Sequence, residues 1–396
     1  MSAPGLLRGL AWSVLVPALL LAGTGVVFVW STTHAASQPL WGRQLAFLAA
    51  GALGALIVMR VGVRRLAEAS WVIYGLLLVL LAAMPWLADK SATDTERWIA
   101  LPMNFKLQPS EFIKLGLVLV LARHLRHRGV TNTWSSYAAP FALMIVPWWF
   151  VMRQPDLGSS LVLLPILLAM VTVSGARGRH VALLAAGSVL VVLGAYFVPG
   201  ALHDYQKERI DNFIRPIPAL MEEARDLHNR REHAAAAEVE AEVALLRRGT
   251  GRQQLYSVMA IGSGGLTGEG LGDGLQNRPY GVAVRHADFI FAMVGEEWGL
   301  LGTTFVVGLY AWLVGGILSV AWRTREPFGR MVCVGVAGLI GGQALMNLGI
   351  ATGMLPVTGL PLPLVSYGGS SVLATALALA CVLDVSRRRE HVFFEE

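Results

Sequence analysis

The sequence predicts an all-α, polytopic membrane protein of about ten transmembrane helices, with both termini cytoplasmic and one large outer loop between spans seven and eight. Three observations carry that expectation. Of the 396 residues, 55% are hydrophobic and only 15% charged, and the mean hydropathy is +0.57, a composition that needs lipid as its solvent. Apolar runs long enough to cross a hydrocarbon core as helix recur along the chain. The arginines alternate between connections as the positive-inside rule requires.

Taken in order, the spans are expected at 9–31, 42–60, 66–88, 109–123, 136–152, 157–174, 180–199, 288–322, 331–352 and 367–386. The first is longer than the apolar core of a secretory signal and no small-residue cleavage site follows it, so it reads as a retained anchor. The eighth exceeds one crossing, so it begins above the membrane or tilts. With the N-terminus inside, Arg8, Arg60, Arg64, Arg65, Arg123, Arg126, Arg128, Arg177, Arg179, Arg323, Arg325, Arg330, Arg387, Arg388 and Arg389 fall in the cytoplasm. The short outer connections carry only Arg43, Lys90, Arg97, Lys106 and Arg153. The stretch 200–287 then forms the large outer loop, whose own charges count little because long loops translocate regardless. The whole chain, 1–396, reads as one membrane domain. Its net charge of +6 follows from the cytoplasmic bias and implies no nucleic acid. Cys333 and Cys381 lie in apolar stretches and suggest neither a disulfide framework nor a thiolate metal site.

Polar residues therefore collect at the outer face. Between spans three and four run Asp94-Thr-Glu-Arg-Trp-Ile-Ala-Leu and Phe105-Lys-Leu-Gln-Pro-Ser-Glu-Phe-Ile-Lys114. Pro109 suits the first helical position, which puts Glu111 and Lys114 three apart on one face at the start of span four. Such an intramembrane pair reads either as functional or as an internal brace. Arg153-Gln-Pro-Asp156-Leu-Gly makes a turn in which Asp156 opens the next helix, as a cap or with a direct role. Residues 219–248 are rich in charge and helix formers and should make one or two solvated helices between Pro218 and Gly249. The run Gly262-Ser-Gly-Gly-Leu-Thr-Gly-Glu-Gly-Leu-Gly-Asp-Gly-Leu-Gln276 matches neither a dinucleotide fingerprint nor a P-loop and reads as a tight, backbone-exposing loop.

Asp288 stands where this loop meets span eight, within Arg285-His-Ala-Asp-Phe-Ile-Phe-Ala-Met-Val-Gly-Glu-Glu-Trp-Gly. A carboxylate there stays hydrated, is paired, or takes part in chemistry, the plain alternative being a residue that favours the helix N-terminus. Near the end, Leu355-Pro-Val-Thr-Gly-Leu-Pro-Leu-Pro-Leu-Val-Ser-Tyr-Gly-Gly-Ser-Ser holds three prolines and cannot cross regularly. It should be an outer loop that partly re-enters the membrane.

In these motifs the chain resembles the SEDS family (RodA, FtsW, SpoVE), closest to its RodA-type members. The resemblance rests on Gln108-Pro-Ser-Glu-Phe-Ile-Lys, Gln154-Pro-Asp-Leu-Gly, Ala260-Ile-Gly-Ser-Gly-Gly, His286-Ala-Asp-Phe-Ile-Phe-Ala with Gly-Glu-Glu-Trp-Gly, and Pro356 to Ser371, in order along nearly the whole chain. Two features depart from the family pattern: the charged insertion 219–248, and Val282-Ala-Val on the approach to Asp288.

The resemblance implies a bacterial peptidoglycan glycosyltransferase of the inner (plasma) membrane. It would polymerise lipid II at the outer face, onto a growing glycan, for elongation, division or sporulation. Its implied partner is a class B penicillin-binding protein. It makes Asp288 the catalytic carboxylate, for which the physical role is general base to the acceptor sugar's 4-hydroxyl in one inverting displacement. Charge on the departing pyrophosphate calls for cations, with Lys114 first, then Arg97, Arg209, Arg215 and Arg285. Glu111, Asp156, Gln276 and Ser366 complete the expected substrate-binding set. A divalent cation, Mg or Mn, bound with the pyrophosphate is the one cofactor this chemistry admits, and the nine histidines show no metal-ligand spacing. The rival readings are a lipid II flippase, which ten spans and a broken Pro/Gly segment also suit, and a membrane scaffold for cell-wall synthases.

Overall fold

The computed structural model describes residues 9–34, 39–88, 97–101, 105–126, 135–198, 204–214, 217–230, 233–246, 250–274 and 287–388. A helix lies over each expected span. The first three are α1 (Trp12–Thr33), α2 (Trp41–Val61) and α3 (Val63–Ala82), the last followed by one helical turn at Met84–Leu87. A two-stranded antiparallel ribbon comes next, β1 (Ile99–Leu101) and β2 (Phe105–Leu107), with Ile99 opposite Leu107. It sits where the sequence suggested only a polar connection. Then follow α4 (Pro109–Leu125), α5 (Ser135–Arg153), α6 (Leu157–Val173) and α7 (Gly178–Phe197).

Among the described residues of the large loop are four helices: α8 (Asp204–Ile214), α9 (Ile217–Asn229), α10 (His233–Leu246) and α11 (Thr250–Ser263). The bundle closes with α12 (Ile290–Arg323), α13 (Pro327–Ala351) and α14 (Gly369–Arg387). Among the described residues, seven helices, α1, α2, α3, α5, α12, α13 and α14, are long and apolar enough to cross a membrane by length and composition.

One large apolar core joins the bundle. α1 packs on α12, α2 on α14, α3 on α4, and α13 on α4, α6 and α12. Buried aliphatic side chains fill the interior while large apolar ones such as Leu76, Val79, Leu190 and Trp322 face outward, as lipid-facing surfaces require. The charged insertion folds as a hairpin: α9 packs against α10 over Leu220, Ala224, Val239 and Val243, and this small separate core also touches Leu255 on α11.

Span eight, expected to begin above the membrane or to tilt, is not one continuous helix. α12 breaks at Gly299, which has φ 62° and ψ −156°, so Ile290–Trp298 is a short helix and the longer one starts beyond the break. A side chain at Gly299 would be strained by that φ and would meet the backbone of Leu266 and Gly268 at 2.5–2.7 Å. The glycine-rich loop is the reason for both facts. Glu269 and Gly270 donate their N–H groups to the carbonyls of Glu296 and Glu297 (3.0 and 3.1 Å). In return Leu300 and Leu301 donate to the carbonyls of Gly265 and Leu266 (2.9 and 3.1 Å). The loop is thus a splint that satisfies the backbone groups a broken membrane helix would otherwise leave orphaned.

The proline-rich segment after α13 re-enters the bundle as expected. Its carbonyls find partners on the helices around it: Tyr310 donates its hydroxyl to Pro363, and Gln44 its amide to Ser366 (3.2 Å). At the opposite end of the bundle Asp384, fully buried, accepts from Val63 N at the start of α3 (2.8 Å) and lies 2.9 Å from Arg388 Nε.

Candidate active site

Residues 287–289 form a turn ahead of α12. The cap position of that helix is Phe289, and no side chain caps it. Asp288 therefore lies one residue upstream of the cap, and capping does not explain it. The turn is pinned through its backbone by two other elements. Asn347, in the last turns of α13, donates Nδ2 to the Asp288 carbonyl (2.9 Å) and also to the Leu360 carbonyl (2.6 Å). Ser366, in the re-entrant segment, donates to the Ala287 carbonyl and accepts from Leu362 N (2.8 Å).

Asp288 is partly exposed as a residue although protein surrounds its carboxyl, which is how a group at the edge of a recess behaves. Burial raises its carboxyl above the ordinary range, the cations Arg209 and Arg97 pull it back, and the negative charge of Asp156 pushes it up again. Arg209 comes from α8 in the large loop and is 9% exposed; its Nη1 donates to the Val357 carbonyl (2.9 Å). Burial brings its guanidinium down to about 10, with Asp288 opposing that shift, so it keeps its charge at neutral pH. Arg97 stands just ahead of β1, and the ribbon returns that stretch of chain to the same end of the bundle. Gly359 floors the recess: with φ +76°, a Cβ there would come within 3.6 Å of both Arg209 Nη1 and Asp288 Oδ2.

Beside this recess lies the buried pair. Lys114 Nζ is 2.7 Å from Glu111 Oε1 and donates to Gln343 Oε1 (2.9 Å), and the two charged residues are 1% and 3% exposed. Gln343 in turn donates Nε2 to the Pro361 carbonyl (2.9 Å). Gln343 and Asn347 are four apart on α13 and so share a face, from which they tie the ion pair, the re-entrant segment and the Asp288 turn together. Asp156 is the N-cap of α6: Oδ1 accepts from Ser159 N (3.1 Å), and Oδ2 accepts from Gln108 Nε2 (2.6 Å) and Ser110 Oγ (2.8 Å).

The structure thus gathers Asp288, Arg209, Arg97, Asp156 and Ser366, while Lys114 and its partner Glu111 are tied through Gln343 to the Pro361 carbonyl of the re-entrant segment. Arg215, Gln276, Arg285 and the Val282-Ala-Val approach lie outside the described residues. Sequence reasoning passed over Gln343 and Asn347. The signal was present, since two amides four apart inside an otherwise apolar span are costly unless they bond. It also passed over Glu297, whose Oε1 accepts from Ser31 Oγ on α1 (2.5 Å), and Glu296, both buried in the short half of α12. Among the described residues no three His, Cys, Asp or Glu side chains gather as a group that could hold a metal ion.

Comparison with known proteins agrees with this layout. Residues 11–391 match the profile of the FtsW/RodA/SpoVE family, described as cell cycle proteins. The chain is 32% identical over 386 residues to a probable peptidoglycan glycosyltransferase FtsW of Geobacter metallireducens, covering 95% of this chain and 94% of that one. A namesake from Thiomicrospira cyclica is 32% identical over 399 residues, covering 96% and 92%. Among solved structures, a chain from a study of how a peptidoglycan synthase complex coordinates polymerization and crosslinking superposes with a TM-score of 0.75 at 29% identity, covering 96% of this chain and 98% of that one. The rod shape determining protein RodA of Thermus thermophilus superposes with a TM-score of 0.67 at 28% identity, covering 98% and 99%. The chain is a multi-pass membrane protein and belongs to the FtsW/RodA/SpoVE family of cell cycle proteins.

Proposed function

We propose that this protein is a peptidoglycan glycosyltransferase of the bacterial inner membrane that polymerises lipid II into glycan strands at the outer face. The observation that carries the proposal is Asp288: the carboxylate of a partly exposed residue that caps no helix, held by its backbone in a recess flanked by Arg209 and Arg97. Its raised proton affinity suits a base that must take a proton near neutral pH. The carboxylate removes the proton from the acceptor sugar's 4-hydroxyl as that oxygen attacks the donor's anomeric carbon. The bond from that carbon to the pyrophosphate breaks in the same step, which inverts the configuration. Arg209 and Arg97 balance the charge that builds on the leaving pyrophosphate.

Lys114 was the first choice for that cation from sequence. Its enclosure with Glu111 and Gln343 supports a bracing role instead, so the pyrophosphate is assigned to the two arginines. A divalent cation would neutralise the pyrophosphate further. Asp156 has both oxygens engaged, which leaves Asp288 as the protein carboxylate near such an ion and the substrate as its main ligand. The proposed partner is a class B penicillin-binding protein that crosslinks the emerging strand. Purified protein given fluorescent lipid II in detergent should build a glycan ladder; a chain that only moves lipid II between compartments would build none.

Asn347 acts here as a positioning residue. Asn347→Leu keeps the branched shape but removes both N–H donors, so the Asp288 turn loses one of its two ties. Polymerisation should fall in kcat by about 10²-fold, because a misplacement near 1 Å has that effect, while KM stays close to wild type. An unchanged kcat would mean that Ser366 alone fixes the turn.

The orientation is tested separately. Cysteines placed beside Arg225 on α9 should label from outside, and those beside Arg126 and Arg388 from inside. Labelling near Arg225 from inside would reverse the membrane layout and remove the site from the leaflet where the substrate is polymerised.

A further inference from the structure

The end of the bundle opposite Asp288 holds a cavity of about 180 Å³ that the reaction does not use. It is lined by the ends of α3, α4, α12, α13 and α14. Four arginines face it, Arg64, Arg123, Arg126 and Arg388, against Glu68, Glu326 and Asp384. Those carboxylates are already committed. Asp384 binds Val63 N and Arg388, Glu326 caps α13 through Phe328 N and Gly329 N, and Glu68 lies 3.7 Å from Arg64 on the surface of α3. Arg123 gives Nη1 to the Ala67 carbonyl (2.9 Å). Arg126 is different: its Nε is buried and has no hydrogen-bond partner. An unmet cationic donor inside a protein calls for an anionic acceptor. The other walls, Val63, Ala67, Phe328 and Val385, are apolar.

A ligand that fits therefore carries an anionic group on an apolar body. The cavity lies at the end where Arg60, Arg64, Arg65, Arg123, Arg126, Arg323, Arg325, Arg330, Arg387 and Arg388 collect, which the positive-inside rule puts at the cytoplasmic leaflet, rich in anionic lipid. We propose that this cavity is a binding site for the phosphodiester headgroup of an anionic phospholipid, held by Arg126 and Arg64 with its glycerol and upper acyl chain against Val63, Ala67 and Phe328. The site grips the far ends of α4 and α13, the two helices whose other ends carry Glu111, Lys114, Gln343 and Asn347.

Native mass spectrometry of the full-length protein in detergent, titrated with phosphatidylglycerol or with phosphatidylcholine of the same acyl chains, tests this. Wild type should retain phosphatidylglycerol in preference. Arg126→Gln, and separately Arg64→Gln at a side chain 57% exposed and so tolerant of change, should each weaken that retention about fivefold without affecting phosphatidylcholine. Arg325→Gln, at the same end but outside the cavity, should leave it as in wild type. Equal retention of the two lipids, or equal loss in Arg325→Gln, would overturn the site. Displacement of the lipid by low-millimolar inorganic phosphate would assign the cavity to free phosphate and overturn the lipid.

Discussion

Asp288→Asn is expected to lower polymerisation of lipid II by about 10²–10⁴-fold while the protein inserts and folds as before, because an amide cannot take the proton. Stability should hold or rise. The carboxyl is raised by burial, so the folded protein binds that proton more tightly than the unfolded chain and loses stability as pH rises through the shifted range. Removing the charge removes that loss. The same sign fixes the pH dependence of wild type: kcat/KM should fall on the acid side at a pH above the ordinary carboxylate range, and the Asn variant should lack that limb. Asp288→Glu keeps the charge but moves it by a methylene, and it too should lose about 10²-fold. An Asn variant within tenfold of wild type in a purified assay would end the role given to this carboxylate.

Lys114→Met alone should be among the most destabilising single changes in the protein. It strands Glu111, 3% exposed, without its cation, and breaking a buried pair from one side costs about 3–5 kcal/mol. The Gln343 carbonyl oxygen also loses its donor, which loosens the tie to Pro361. Glu111→Gln/Lys114→Met removes both charges and should recover most of the melting temperature and activity to within about tenfold, since apolar or neutral replacements of buried pairs are often tolerated. A double variant that melts like wild type yet stays inactive would return Lys114 to the substrate.

The helices were legible in the sequence because lipid leaves little choice: twenty apolar residues between polar turns have one low-energy form. Asp288 was legible for a related reason, a charge at the mouth of a span. The role of Lys114 was less so, since spacing reveals that Glu111 and Lys114 share a face but not whether that face is open. Gln343 closes it, from a helix more than two hundred residues away in sequence. The break at Gly299 was hidden by composition, because Gly-Glu-Glu-Trp-Gly reads as a helix interrupted only weakly. What breaks the helix is the availability of four backbone partners from 265–270, a tertiary fact that no local pattern announces.

That splint also sets an order of assembly. Residues 264–270 leave the ribosome before 296–301, so the partners of the broken helix are waiting when it emerges, and the four backbone bonds can close once Leu301 is out. The ties from Asn347 and Ser366 to the Asp288 turn come from chain made later, after two further helical segments have begun. A nascent protein thus holds its half-helix well before it can hold its carboxylate in place, and the recess becomes competent only when the last re-entrant residues fold in.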